Sequence, residues 1–102
     1  MEQRPTVTIV LPTHNRANTL ARSMASVLCQ TFQDFHLVVV DDASTDDTQA
    51  LVESFNDPRV LYKKLTDNVG GAAARNIGIR MARGDYVAFQ DSDDEWTCTH
   101  LE

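Results

Sequence analysis

Four short aliphatic and β-branched runs, Val7–Leu11, Phe35–Val40, Val60–Lys64 and Tyr86–Phe89, alternate along the chain with stretches whose apolar residues recur at helical spacing. That alternation leaves few folds open. Strand, helix, strand in regular succession implies parallel neighbours, which need crossover connections, and those are right-handed. The expected class is α/β, with three α/β/α layers around a mostly parallel sheet. Val7 to Leu11 reads as a strand buried on both faces and ended by Pro12. Leu20, Met24, Val27 and Leu28 predict a helix over about residues 17 to 29, with Asn15 or Asn18 available as its cap. Ser44-Thr45-Asp46-Asp47 resembles a capping box with Asp in the Glu position, and Leu51, Val52 and Phe55 continue a second helix that breaks at Asn56-Asp57-Pro58. Lys63 and Lys64 favour an edge position for the third strand. Ala74, Ile77, Gly78 and Met81 share one face of a third helix running from Ala72 to about Arg83, with Gly84 as its left-handed stop.

Length and charge narrow the function classes. The 102 residues, 42% hydrophobic, suit one domain spanning 1–102. No apolar run exceeds the four residues Leu37 to Val40, far short of the ~20 that span a bilayer. The first residues lack the apolar stretch of a secretory signal, so a cytoplasmic protein is expected. Cys29 and Cys98 form no CxxC pattern; both are expected reduced, with Cys29 in the core. The net charge is −6, and the acids are concentrated late: three bases and two acids precede residue 41, and six bases and thirteen acids follow. Such a balance argues against nucleic acid, which needs a basic face to replace counterions, and is compatible with a divalent cation.

The polar clusters fall where strands end. Pro12-Thr13-His14-Asn15-Arg16 follows the first strand, Asp41-Asp42 the second and Asp91-Ser92-Asp93-Asp94 the fourth. Open parallel sheets bind ligands beyond the carboxyl ends of their strands, near the point where strand order reverses. Asp91 and Asp93, two apart, would point the same way in an extended segment and face a common hard cation. A lone D-x-D is also an ordinary strand terminator, and Asp41-Asp42 is also ordinary turn chemistry before a helix. Gly70-Gly71 precedes a helix, but neither the P-loop nor the dinucleotide glycine pattern is present. Arg75, one turn into that helix, could reach a diphosphate or pair with surface acids. His14 has no nucleophile or second metal-spaced His beside it, so a hydrolase triad is unsupported.

In combination these stretches resemble the N-terminal half of a family 2 glycosyltransferase of the GT-A fold. The resemblance rests on Val7 to Arg16, Ser26 to Thr31, Val38 to Asp46, Asn68-Val69-Gly70, Ala74 to Gly78, Gly84 to Val87 and Asp91 to Trp96, in order over nearly the whole chain. It implies a Rossmann-like half that binds a nucleotide-sugar donor, expected to be a UDP-sugar. Pro12, Thr13, His14 and Arg16 with Asp42 would hold the base, and Asp41 would support that pocket. Asp91 and Ser92 would lie by the ribose or diphosphate, with Arg75 near the donor. Asp93, with Asp91, would ligate Mn²⁺ or Mg²⁺. The implied reaction is transfer to an acceptor hydroxyl with inversion, the acceptor being a carbohydrate or a lipid-linked sugar, with peripheral membrane association open to the full-length protein.

The family usually has Tyr where His14 stands and commonly Pro where Cys98 stands. Its acceptor site and catalytic base come from a later segment, so the chain is expected to be a fragment or truncation, with homodimerisation through the face left uncovered. Two other readings share these features. One is a non-catalytic nucleotide-binding or assembly module of the same fold. The other is a receiver domain, which expects a lysine on a later strand, and none follows Lys64.

Overall fold

The structure, a computed structural model, describes residues 7–30, 34–82 and 86–89. Its elements are β1 (Val7–Thr13), α1 (Ala17–Leu28), β2 (Phe35–Asp41), α2 (Thr48–Ser54), β3 (Val60–Lys64), α3 (Gly71–Met81) and β4 (Tyr86–Phe89). The sheet has the order β3-β2-β1-β4, and every pairing is parallel. The α/β class expected from the alternation is therefore the one observed, and β3 is an edge strand. From β1 the chain steps to β2 and β3, then returns to the far side of β1 for β4. Strand order thus reverses between β1 and β4, and the crevice lies at their carboxyl ends.

Alternation along the strands divides the core in two. Ile9 and Leu11 of β1 with Leu37 and Val39 of β2 pack against Leu20, Met24 and Val27 of α1 and Val52 of α2. On the opposite face Val38 and Val40 pack against Ala74 of α3, bordered by Leu61, Leu65, Ile77 and Met81. Burial of both sheet faces is why β1 and β2 read as nearly continuous apolar runs. On this second face α3 approaches β1 at Gly78, where a Cβ would stand 2.3 Å from Val10 Cγ1.

Several boundaries differ from the sequence reading. β1 continues through Pro12 to Thr13. Thr13 O accepts from Asp42 N at 2.8 Å, so its main-chain groups face β2 and those of Pro12 face the β4 side. There the described pairing ends at Val10 opposite Phe89, and the missing N–H of Pro12 costs no ladder bond among the described residues. Neither Asn15 nor Asn18 caps α1: Arg16 holds the N-cap position without a side-chain bond. Ser44 does not start α2, which begins at Thr48 after Asp47. α3 ends at Met81 with Ala82 extended, and Arg83 and Gly84 lie outside the described residues. Cys29 is exposed rather than core. It follows the last turn of α1, and the buried position goes to its neighbour Gln30, whose Nε2 donates to Ser26 O at 2.9 Å. Cys98 lies outside the described residues.

Candidate nucleotide site at the strand ends

Three loops meet at the carboxyl rim of the sheet: the one after β1, the one after β2 and the one that leads from β3 into α3. The β1–β2 register ends with Thr13 opposite Asp41, which places the polar end of one strand beside the first acid of the next. Asp41 is fully buried. Its Oδ1 accepts from Ser44 N at 2.9 Å and its Oδ2 from the Tyr62 hydroxyl on β3. Burial, and then the Asp41 carboxylate at its hydroxyl, push the Tyr62 phenol above its ordinary value, so it stays a donor. Ala43 then turns the chain with φ +59°, and its N–H bonds back to Asp41 O at 2.9 Å.

Asp42, also buried, spans to the third loop. Its two carboxylate oxygens accept from Val69 N at 2.7 Å and Gly70 N at 2.9 Å. The chain enters α3 immediately afterwards, and Gly70 has φ +88°, a conformation that a side chain would strain. Asp42 therefore fixes the entry to α3. Its backbone carbonyl accepts from His14 Nδ1 at 2.6 Å. Asn68 Nδ2 lies 3.3 Å from both nitrogens of that ring. At equal distances this short, an in-plane position would overlap Cε1, so the amide sits over one face of the imidazole.

The loops after β1 and β2 are stitched to each other. Asn15, with φ +51°, donates its backbone N–H to Ser44 Oγ at 2.8 Å. Its Oδ1 accepts from Thr45 N at 2.7 Å and Asp46 N at 3.3 Å. Asp46 returns the contact: Oδ2 accepts from Ala17 N at 3.2 Å, and Oδ1 accepts from Thr48 N at 3.1 Å and from the Thr48 hydroxyl. One aspartate thus satisfies the first turns of α1 and α2 together.

The Thr48 hydroxyl is the largest cause of a lowered Asp46 pKa; slight burial opposes it, and the Ala17 and Thr48 N–H groups add to it. A carboxyl depressed by folding contributes stability above its unfolded value and loses that contribution as pH falls through the folded one. Acidification below about pH 4 is accordingly expected to lower hydrogen-exchange protection at the start of α1, corrected for intrinsic rates, before the strands open. Simultaneous loss in helix and strands would contradict this role.

Of the residues singled out in the sequence, Thr13, His14, Asp41 and Asp42 come together here, with Pro12 next to Thr13 on β1 and Arg16 exposed at the start of α1. The Thr13 hydroxyl is buried without a hydrogen-bond partner. Strand alternation puts it on the α1 face with Ile9 and Leu11. Arg75 lies apart, its guanidinium 5.5 Å from the centre of the Phe89 ring on β4. Asp91, Ser92 and Asp93 lie outside the described residues. Among the described residues no three His, Cys, Asp or Glu side chains group closely enough to hold a metal ion. Sequence reasoning missed Tyr62, Asn68 and the amide of Asn15. Tyr62 and Asn68 are distant in sequence from what they hold, and Asn15 was read as a possible helix cap within the polar loop after β1, with no signal for its contacts to the loop after β2.

Comparison with known proteins places this geometry in context. A family model described as glycosyl transferase family 2 matches residues 8–102. The UDP-Glc:alpha-D-GlcNAc-diphosphoundecaprenol beta-1,3-glucosyltransferase WfgD of Escherichia coli is 42% identical over 98 residues, covering 94% of this chain and 38% of that protein. The crystal structure of TarS 1-349 of S. aureus in complex with UDP superposes with a TM-score of 0.89 at 34% identity, covering 94% of this chain and 30% of that one. The mannosyltransferase PcManGT from Pyrobaculum calidifontis, in complex with GDP-Man and Mn²⁺, gives 0.83 at 32% identity, covering 92% and 29%. The chain spans about two fifths of the length of several curated relatives it matches and a smaller share of others, down to 14%.

Proposed function

The chain belongs to glycosyl transferase family 2, and on that premise we propose that it is the donor-binding part of an enzyme that moves a sugar from a nucleoside diphosphate to an acceptor hydroxyl. The observation that carries this reading is the three-loop rim, in which Asp42 ties His14 and the entry to α3 into one unit at the strand ends. UDP-sugar is the proposed donor. Its support is the likeness to a UDP complex and to a relative named for UDP-Glc.

In this reading Pro12, Thr13 and Arg16 border the base, the free face of the His14 ring stacks on it, and Asp42 accepts from it with lone pairs that Val69 and Gly70 leave open. Asp41 never touches the donor; with Tyr62 it holds the strand end beneath the pocket. Arg75, now over Phe89, reaches toward the diphosphate, and Asp91 and Ser92 serve the ribose or diphosphate. The acceptor hydroxyl attacks the anomeric carbon, the bond to the diphosphate breaks, and configuration inverts. The base that takes the hydroxyl proton is assigned to the part of the relatives this chain does not span.

Among the described residues the rim carboxylates have no third His, Cys, Asp or Glu grouped with them closely enough to hold a metal ion. Asp93 with Asp91 would hold Mn²⁺ or Mg²⁺, and the ion, when bound, supplies positive charge to the leaving diphosphate. The complex of a mannosyltransferase with GDP-Man and Mn²⁺ supports divalent metal use. The proposed acceptor is a carbohydrate or a lipid-linked sugar, the latter as in the name of the WfgD relative. No helix among the described residues is long and apolar enough to cross a membrane, and peripheral association is the proposed route to such an acceptor.

A second reading, an assembly module of the same fold, is favoured by β4, where Tyr86, Val87 and Phe89 are exposed. A homodimer through the β4 side of the sheet is its form. Calorimetric titration with UDP, with and without Mn²⁺ and with ADP and GDP as controls, separates the two. The expected result is metal-dependent, UDP-selective binding that Asp93→Asn weakens without unfolding the chain. A folded, self-associated sample that binds no uridine nucleotide would replace the first reading by the second.

A further inference from the structure

The hydrogen bonds around His14 form a continuous series whose donor and acceptor senses are fixed at both ends. At one end the backbone N–H groups of Thr45 and Asp46 point at the Asn15 amide, so the atom they meet must be the carbonyl oxygen Oδ1. The other amide atom, Nδ2, is then a donor, and it lies 3.3 Å from His14 Nε2. Nε2 must therefore carry a lone pair. At the other end His14 Nδ1 lies 2.6 Å from Asp42 O, an acceptor only, so Nδ1 must carry the proton. Both ends demand the same neutral tautomer.

We propose that Asn15 is a positioning residue that holds His14 in the Nδ1–H tautomer and in one orientation, so that a nucleotide base meets the ring face and not a ring nitrogen. With Nδ1 bonded to a carbonyl, Nε2 to an amide and Asn68 over one face, the opposite face is the one without a hydrogen-bond partner among the described residues. A uracil or other flat base stacks on that face, and its polar edges are left for Asp42. This inference rests on the donor-site reading. Asparagine suits the position twice over, because its φ of +51° is one that asparagine tolerates better than most side chains.

Two variants of the full chain test it by distinct routes. Asn15→Gly keeps the left-handed backbone and removes every side-chain bond. Asn15→Asp keeps Oδ1 for Thr45 and Asp46 and replaces the donor to Nε2 by an acceptor. Long-range ¹⁵N–¹H correlation spectra read the tautomer of each imidazole, with the His14 signals identified by their loss in His14→Tyr. The unaltered chain should show Nδ1–H. Asn15→Gly should give a mixture, because the ring is free to turn away from Asp42 O, and Asn15→Asp should add a proton at Nε2 while Asp42 O keeps the one at Nδ1, with UDP affinity falling roughly tenfold in both. Thermal midpoints measured alongside identify any variant that fails to fold, and Asn15→Asp, which retains the loop stitch, keeps the test alive if Asn15→Gly does. A ring that keeps Nδ1–H with Nε2 unprotonated in the folded variants overturns the inference, as does affinity held within about twofold once the protonation pattern has changed. If the unaltered chain binds no uridine nucleotide, the donor-site reading falls, and the tautomer spectra still support or overturn the role of Asn15.

Discussion

Gly78→Ala is expected to destabilise the domain by about 2–3 kcal/mol, although alanine is the better helix former by about 1 kcal/mol. The new methyl would stand 2.3 Å from Val10 Cγ1 and 3.2 Å from Cγ2. Neither side can yield cheaply. Val10 is fully buried, β-branched and pinned in a central strand with Val38 and Phe89 as its neighbours. Relief would require α3 to lift from β1, which would also open the packing of Ala74, Val38 and Val40. Urea unfolding of Gly78→Ala, Val10→Ala and the double variant measures the coupling. The double variant should recover much of what Gly78→Ala loses, since both offending methyls are gone. A Gly78→Ala protein as stable as the parent would mean that helix and strand do not approach as closely as described.

Asp41→Ala is expected to cost about 3 kcal/mol, because it strands the Ser44 N–H and the Tyr62 hydroxyl in a buried setting at roughly 1–3 kcal/mol each. Asp42→Ala also frees two N–H groups, those of Val69 and Gly70, but these lie at the rim where water can reach them. Its expected stability loss is smaller, about 1 kcal/mol, and its expected loss of UDP affinity is larger, at least tenfold. In the proposed donor-site reading the adjacent acids are thus expected to do different work: the first holds the fold, and the second, besides fixing the entry to α3, faces the ligand. Urea midpoints and UDP titrations on both variants check this. Equal stability losses with equal affinity losses would show that the two carboxylates act as one unit.

Sequence alone determined the order and type of the elements. Each strand run is short and β-branched and each helix carries a spaced apolar face, so local pattern and burial agree, as for β2, which lies buried with a helix layer on each side. The ordered motifs from Val7 to Trp96 were enough to name the family. What the pattern could not reach was the wiring between loops. Asn15 looked like a cap for its own helix and Asp46 like an interior residue of the next helix's capping box, because a cap signal is local. In the folded chain Asn15 serves the loop after β2, and Asp46 caps α1 as well as binding Thr48. The contacts of Tyr62 with Asp41 and of Asn68 with His14 carried no signal, although Asn68 stood in a recognised motif, since residues 21 and 54 positions apart meet only when parallel strands bring their ends to one rim. The burial of Gln30 in place of Cys29 has the same origin: helical periodicity gives a face, and the angle at which α1 ends decides which side chain past its last turn is covered. Hydrophobic patterning is read along the chain and survives in sequence; hydrogen-bond partners between loops are chosen by register and strand order, which exist only in the assembled sheet.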